Sequence, residues 1–454
     1  MRLILAELRL ILRSRLAAGA LALLFALSAL AAVSGLQNQA RQNATIDRVA
    51  AAQAHDFTAV AQTYGRPDGE AGNAAYYTFL LSADRPGPLA FTALGQRDIN
   101  PFVLRVNALG IQAQLYGSEA LNPELALPGV FDFAFVLIYL APLVVIALAH
   151  DLVSGEREAG RLRLLLSMPA PPVRLWRRRV ALRYGLVFAA LIAPLLAACA
   201  FAAAPLAGVA GLVAVAALYL AFWFGLSLLV GARTPASATN AAALVGCWIV
   251  LTLIAPTLAN AVIARAVPVA KGIDLTLAQR ESVHHAWDIP KDATLRRFFA
   301  NHPEWRDTPP VAGRFHWKWY YAMHQVGDEA VADQVADYRA NLLARQALTE
   351  KVGWVLPGVG AQVLLHRIAD TDLLAQLCYQ DSIAAFHERL RRFFYPYLFK
   401  ERPFTRADFD RLPTYEPRLS TESLPLLSMV ALVLCALLAL TGGSGAVSRI
   451  GRRQ

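Results

Sequence analysis

Long uncharged runs alternate with short charged ones along this chain. Six runs are apolar enough to cross a bilayer as helices: residues 16–36, 129–149, 184–205, 207–230, 239–264 and 423–441. A hydrocarbon core about 30 Å thick takes about 20 helical residues. The first run, LAAGALALLFALSALAAVSGL, carries no charge and follows Arg13 and Arg15. It resembles a secretory signal but lacks a convincing small-x-small cleavage site, so it reads as a retained signal anchor.

The pattern between the runs predicts the remaining organisation. Residues 1–15 suit a helix lying in the membrane interface, with Arg2, Arg9 and Arg13 near one stripe and Glu7 off it. Residues 37–128 predict a mixed first domain that begins as an outward continuation of span one, with the extended piece FVLRV between turns. Residues 265–420 predict a second, helical domain: a long helix over 313–352 and two amphipathic helices over 359–400, broken at Asp370, Thr371 and Asp372. AAAPLAG makes a tight hairpin between spans three and four, and GARTPAS joins spans four and five. Pro142, Pro194 and Pro256 fall inside spans, where freed carbonyls must be satisfied by neighbours. The fold class is mainly α: a polytopic membrane protein with six transmembrane helices, one mixed and one helical extracytoplasmic domain.

Composition agrees. Of 454 residues, 56% are hydrophobic and 17% charged, against about 25% charged in soluble domains. Charge also sets orientation. The N-terminus, residues 150–183, 231–238 and the tail from 442 hold 16 Lys/Arg against 4 Asp/Glu, and the other side holds 27 against 29. The positive-inside rule then makes both termini cytoplasmic in an inner membrane. The basic residues flank spans and face anionic head groups, so no nucleic-acid partner is implied. Cys199, Cys247 and Cys435 lie in apolar spans and Cys378 stands alone, so no disulfide framework is expected.

One segment, DLVSGEREAGRLRLLLSMP at 151–169, is too charged for the bilayer and too leucine-rich for an ordinary loop. Its spacing predicts a four-turn helix from Ser154 to Met168. Ala159, Leu162, Leu165 and Leu166 would share one face, with Arg157, Arg161 and Leu164 opposite. Ser154 is a fitting N-cap, Glu156 and Glu158 suit the first turn, and Pro169, Pro171 and Pro172 end the helix. Such a helix could simply lie on the membrane. Two glutamates and an exposed Leu164 favour a protein pocket instead.

This segment resembles the loop of ABC-2-type transporter permeases, which follows D-x-x-S-x-E-x-x-x-G-x-x-x-x-L-L-x-x-P. Asp151, Ser154, Glu156, Gly160, Leu165, Leu166 and Pro169 match it. The wider chain is similar to a longer subgroup with two outer insertions, one a domain of unknown function, through ALGQRDINPFVLRV (93–106), NPELALPGVFDFAFV (122–136) and LLHRIADTDLLAQL (364–377). The resemblance implies a coupling helix docking on a separate ATPase dimer, with Asp151, Ser154, Glu156, Arg157, Glu158, Gly160, Arg161 and Leu164 as coupling residues. It also implies a second permease, self or related, and ATP and Mg held by the partner ATPase, with no cofactor on this chain.

The chemistry present is consistent with that dependence. No G-x-x-x-x-G-K-[ST] occurs, so the chain has no P-loop of its own and no enzymatic role is expected. H-E-x-x-H and G-x-S-x-G are also absent. His150 and Asp151, at the inner end of span two, suit interfacial capping better than a proton site. His316, Met323 and His324 are weak metal candidates, because a spacing of eight puts the histidines about 80° apart on a helix. The neighbouring aromatics fit core packing better. Two alternatives stand beside the permease: an ATPase-driven mechanotransmission or assembly component moving no solute, and an extracytoplasmic metal-handling protein.

Overall fold

The computed structural model describes residues 2–116, 123–125, 129–167, 172–233, 236–311, 313–417 and 424–450. Helices dominate, and six of them are long and apolar enough to cross a membrane: Arg15–Tyr64, Phe133–Glu158, Arg174–Phe201, Leu206–Gly231, Ser237–Ala266 and Leu426–Arg449. These are spans one to six below. Alternation puts the described residues between 65 and 132 and between 267 and 425 on one side of the bundle. The N-terminal helix Arg2–Arg13 and the described residues of 159–173 and 232–236 lie on the other, basic side.

The first helix runs without a break for 50 residues, about 75 Å at 1.5 Å per residue. It therefore spans the membrane and continues well beyond it. Ser14 accepts from Ala17 N–H at 3.4 Å and starts this helix anew after Arg13. The prolines of spans two and five each follow a single π-helical stretch, Val136–Leu140 and Val250–Ile254. Pro142 cannot donate to Ile138 O, and the Tyr219 hydroxyl of span four donates to it instead, at 3.0 Å. The Trp248 indole of span five donates to Tyr139 O at 3.1 Å. Near Pro194, the Ser28 hydroxyl of span one donates to Leu191 O at 2.7 Å. Spans four and six meet at small residues: a Cβ on Gly225 would stand 2.5 Å from the Ala439 backbone.

Residues 37–128 and 265–420, read from sequence as two domains, share one core. Ala74, Leu80, Val106 and Tyr116 pack in the same cluster as Phe298, Trp319, Tyr321, Phe386 and Phe399. The buried Asp328 carboxylate joins the two, accepting from Ile111 N–H (2.8 Å), Gln112 N–H (3.2 Å) and Arg391 (2.7 Å). The β content is one antiparallel pair, Leu80–Ala83 with Val103–Val106, in register Leu80 to Val106. The latter strand is the expected extended piece.

Two expectations about helices need correction. The stretch 313–352 is two helices, Trp317–Ala330 and Ala332–Gly353. The chain turns at Val331, whose side chain is buried in the domain core with φ −107° and ψ 5°. The break at Asp370 occurs as expected: that residue is left-handed (φ 56°), and Asp372 accepts from Ala375 N–H at 3.0 Å. The helix before it, Pro357–Ala369, is not part of a separate outer domain. Ala361, Leu364 and Leu365 are buried in the same core as the spans.

That helix is one arm of a re-entrant hairpin. The descending arm is the second half of Ala332–Gly353, where Leu348 and Val352 pack with Ile263 of span five. Arg345 donates to Val267 O at 2.7 Å. The returning arm begins beside Tyr219 and Ile138, each near a Cβ built on Gly358. Tyr219 lies halfway along span four, about 20 Å from its end at 1.5 Å per residue. The returning arm climbs to Ile368, which lies within 4 Å of a Cβ built on Gly208 or Gly211 at the end of that span. The returning arm is buried against the spans, while the turn between the arms, at Lys351, Trp354 and Val355, is exposed.

Candidate functional site between spans two and three

The loop predicted as one four-turn helix is two short helices, Ser154–Glu158 and Leu162–Leu166. Gly160 separates them in the left-handed conformation, φ 70°. Arg161 N–H donates to Glu156 O and Gly160 N–H to Arg157 O, both at 3.0 Å. This is a Schellman ending, which favours glycine because a side chain resists positive φ. The matching glycine thus terminates a helix, and the two-faced four-turn helix is corrected accordingly. The side chain of Leu166 and residues Met168, Pro169 and Pro171 lie outside the described residues.

Ser154 is not an N-cap. It is fully buried, and its hydroxyl is shared with Ser237 Oγ (2.8 Å), His150 O (3.4 Å) and the Asn240 amide (3.0 Å). Asn240 also donates to His150 O at 3.2 Å, so His150 serves as a helix end. Glu158 accepts from Ser237 N–H (2.7 Å) and the Ser237 hydroxyl (3.0 Å) at the start of span five. A carboxylate there satisfies an otherwise unpaired amide and complements the helix dipole. The loop is therefore fastened to span five as well as to spans two and three.

Glu156 is committed internally too. Its carboxylate takes Arg161 Nε at 2.7 Å and Arg179 Nη1 at 2.8 Å, and Arg179 also reaches Glu7 at 2.9 Å. The chain Glu7–Arg179–Glu156–Arg161 ties the N-terminal helix and span three to the loop. Glu156 and Arg179 are each 13% exposed, so the pairs between them are partly desolvated. Leu162 is buried against the spans. Leu164 points away and is 69% exposed. Arg161 and Arg163 flank it, also exposed, while Asp151 is exposed at the end of span two and Arg157 half-buried. Of Glu156, Arg157, Arg161 and Leu164, expected to be offered to a partner, Arg161 and Leu164 are exposed, Arg157 is half-buried and Glu156 faces inward.

His316, Met323 and His324 do not come together as ligands. His316 Nε2 faces Glu401 at 3.4 Å, Met323 is buried in the core, and His324 packs on the Tyr320 ring. Burial lowers His324 to about 4. Among the described residues no group of three His, Cys, Asp or Glu side chains converges as a metal site.

On the opposite side, the three stretches 93–106, 122–136 and 364–377 converge, the second being described only at 123–125 and from 129. Gln96 N–H donates to Thr371 O at 2.8 Å, and the Thr371 hydroxyl donates to Ala93 O at 2.7 Å. Asp132, capping span two, accepts from Leu94 N–H and Phe135 N–H, both at 2.9 Å. His366 Nδ1 lies 2.9 Å from Glu124 Oε1, both fully buried. A cavity of about 270 Å³ is lined by Asp98, Asp132, Tyr139 and His366. Sequence reading missed this junction because the stretches are scattered along the chain and none spells a motif of known chemistry.

Burial raises the Asp132 carboxyl to about 6 against the pull of its two backbone bonds. Burial opposes charge on His366, but the Glu124 hydrogen bond and charge, with Asp132 and Asp372 behind, raise it above the ordinary imidazole value. The folded state holds both protons more tightly than the unfolded chain does. The Asp132 contribution is complete below 3.8 and lost as pH rises to about 6. The His366 contribution is complete below 6.5 and lost as pH rises through the raised value. Thermal melting of the purified chain should therefore fall from mild acid to alkaline pH. His366→Gln should flatten the fall above 6.5, and an unchanged profile in that variant would contradict the linkage.

Residues 274–418 match the family described as a domain of unknown function (DUF3526). That region covers both arms of the re-entrant hairpin and most of the helical part of the large domain. No curated protein and no solved structure matches the chain.

Proposed function

We propose that this chain is the membrane-spanning permease subunit of an ABC-2-type ABC transporter, an exporter driven by a separate ATPase that docks on residues 154–167. The basic side is cytoplasmic, and the large domain lies outside the inner membrane. Two permeases, identical or related, and two ATPase subunits form the unit, with ATP and Mg in the ATPase. The observation that carries this reading is the two-sided construction of the loop. Ser154, Glu156, Glu158 and Leu162 fasten it to spans two, three and five, while Arg163 and Leu164 are exposed on its outer surface beside Arg161, which is exposed and paired with Glu156. A push on that surface reaches three spans at once.

Site-specific photo-crosslinking tests it. A benzoyl-phenylalanine at position 164 should crosslink to a P-loop ATPase in native membranes, and one at the exposed Trp287 of the large domain should not. Membranes containing the ATPase but giving no adduct from 164 would end the docking claim.

One observation favours a second reading, a mechanotransmission or assembly component that moves no solute. The unbroken helix Arg15–Tyr64 is a stiff rod from the basic side into the large domain. ATP-driven movement of solute in reconstituted vesicles would exclude that reading.

A further inference from the structure

On the basic side, spans three, four and six enclose a cleft of about 730 Å³. Its lining is mostly apolar, including Val180, Ala181, Phe224, Leu228 and Val447, with Thr441 and Ser444 as hydroxyls and Arg177 as the cation. The lining positions cover 176–184, 221–228 and 440–447, all near the ends of their helices on the basic side. Seven residues rise about 10 Å, so the cleft is shallow. It is closed above by Tyr184, whose hydroxyl donates to Ala217 O at 2.9 Å and whose ring meets Phe224 at 5.7 Å. Its back is sealed where a Cβ on Gly443 would stand 2.6 Å from Gly225 O.

The mouth is basic. Arg174, Arg177, Ala181 and Tyr184 follow the i, i+3, i+7, i+10 spacing of one helical face. Two arginines therefore stand directly below the apolar floor. Both are exposed, and neither makes an ion pair among the described residues. The carboxylates that reach span three, Glu7 and Glu156, are held by Arg179 and Arg161. An occupant must be apolar for about 10 Å, enter from the membrane surface and end in an anion there. A partner helix would instead run past Tyr184, where the cleft is shut.

We propose that this cleft binds an anionic phospholipid, its acyl chain against Ala181 and Phe224 and its phosphate on Arg174 and Arg177. Basic pockets between spans attract anionic head groups, at about 1 kcal/mol per Arg near the surface. The site is independent of the ATPase reading, because it needs only the chain and the bilayer.

The full chain, delipidated in detergent, is titrated with dioleoyl phosphatidylglycerol and followed by native mass spectrometry. One tightly held lipid per chain is expected, with dioleoyl phosphatidylcholine about tenfold weaker. The double substitution Arg174→Ala with Arg177→Ala, and separately Ala181→Trp, should each weaken binding by about tenfold. Inorganic phosphate should not displace the lipid. A phosphatidylglycerol with a photoreactive tail, added to unmodified protein, should label residues 180–184 and 440–447. That arm needs no substitution and so stands even where a variant fails to fold. Equal affinity for the two lipids, unchanged binding in both variants, or label spread over all lipid-facing spans would overturn the proposal. Crosslinking between two copies through a cysteine at position 181 would overturn it in favour of a chain–chain contact.

Discussion

Leu164→Asp is expected to abolish stable association with the ATPase while leaving the fold of this chain intact. Leu164 is 69% exposed and is the most exposed apolar side chain described in the loop. An apolar side chain that anchors a partner's pocket typically costs 2 kcal/mol or more when lost, roughly thirtyfold in affinity. A buried carboxylate in its place adds a desolvation penalty. The same exposure means that little of the chain's own stability rests on this side chain, so its melting temperature should barely move. Glu156→Arg should behave differently. It places a third cation between Arg161 and Arg179, takes the paired carboxylate from Arg161 and leaves Arg179 with Glu7 alone. Removing one partner of a desolvated pair costs about 3–5 kcal/mol when fully buried, and less at this partly exposed site. That variant should therefore melt earlier and lose the ATPase as a consequence. Co-purification of the ATPase and thermal melting, measured on both variants, separate the cases. Normal ATPase retention and normal transport-linked ATP hydrolysis with Leu164→Asp would refute docking at this loop.

The second large effect is expected at the re-entrant hairpin. Its arms cross at two glycines: a Cβ on Gly360 would stand 2.5 Å from Gly353 O, and one on Gly353 only 2.8 Å from Gly360 Cα. Both obstacles are backbone, which cannot rotate away. Gly360→Leu must push the arms apart, and overpacking of a well-filled core costs about 1–3 kcal/mol or more. The returning arm carries Leu364 and Leu365 in the span core and His366 in the opposite junction, so the strain reaches both. A lower melting temperature should accompany faster labelling of a cysteine placed at Val363, which is buried in the returning arm. Gly246→Leu in span five, where nothing lies within 4 Å of a Cβ, is the control and should leave both unchanged.

The sequence by itself determined the membrane class, the six spans and the break at Asp370. Continuous apolar runs can be satisfied only by helices in lipid, and a short polar residue in left-handed conformation followed by an aspartate cap is a local matter. It also made the loop 151–169 stand out, because charge and leucine at helical spacing are visible without contacts.

Tertiary structure decided what those residues do. Glu156 looks surface-facing on a helical wheel, but the wheel cannot show Arg179 arriving from span three. Ser154 looks like a cap, yet Asn240 and Ser237 of span five claim it. The apolar stretch VGWVLPGVGAQVLL at 352–365 is too short to span, and a run of about 10–14 residues fits a buried helix or a re-entrant segment equally well. Two glycines seven residues apart acquire meaning only when the chain folds back on itself. The junction of Asp132, Glu124 and His366 lies beyond any local reading, since its members are separated by up to 242 residues. Local spacing sets which helices form. Long-range packing sets which of their side chains are spent inside the protein and which, like Arg163 and Leu164, are left exposed at the surface.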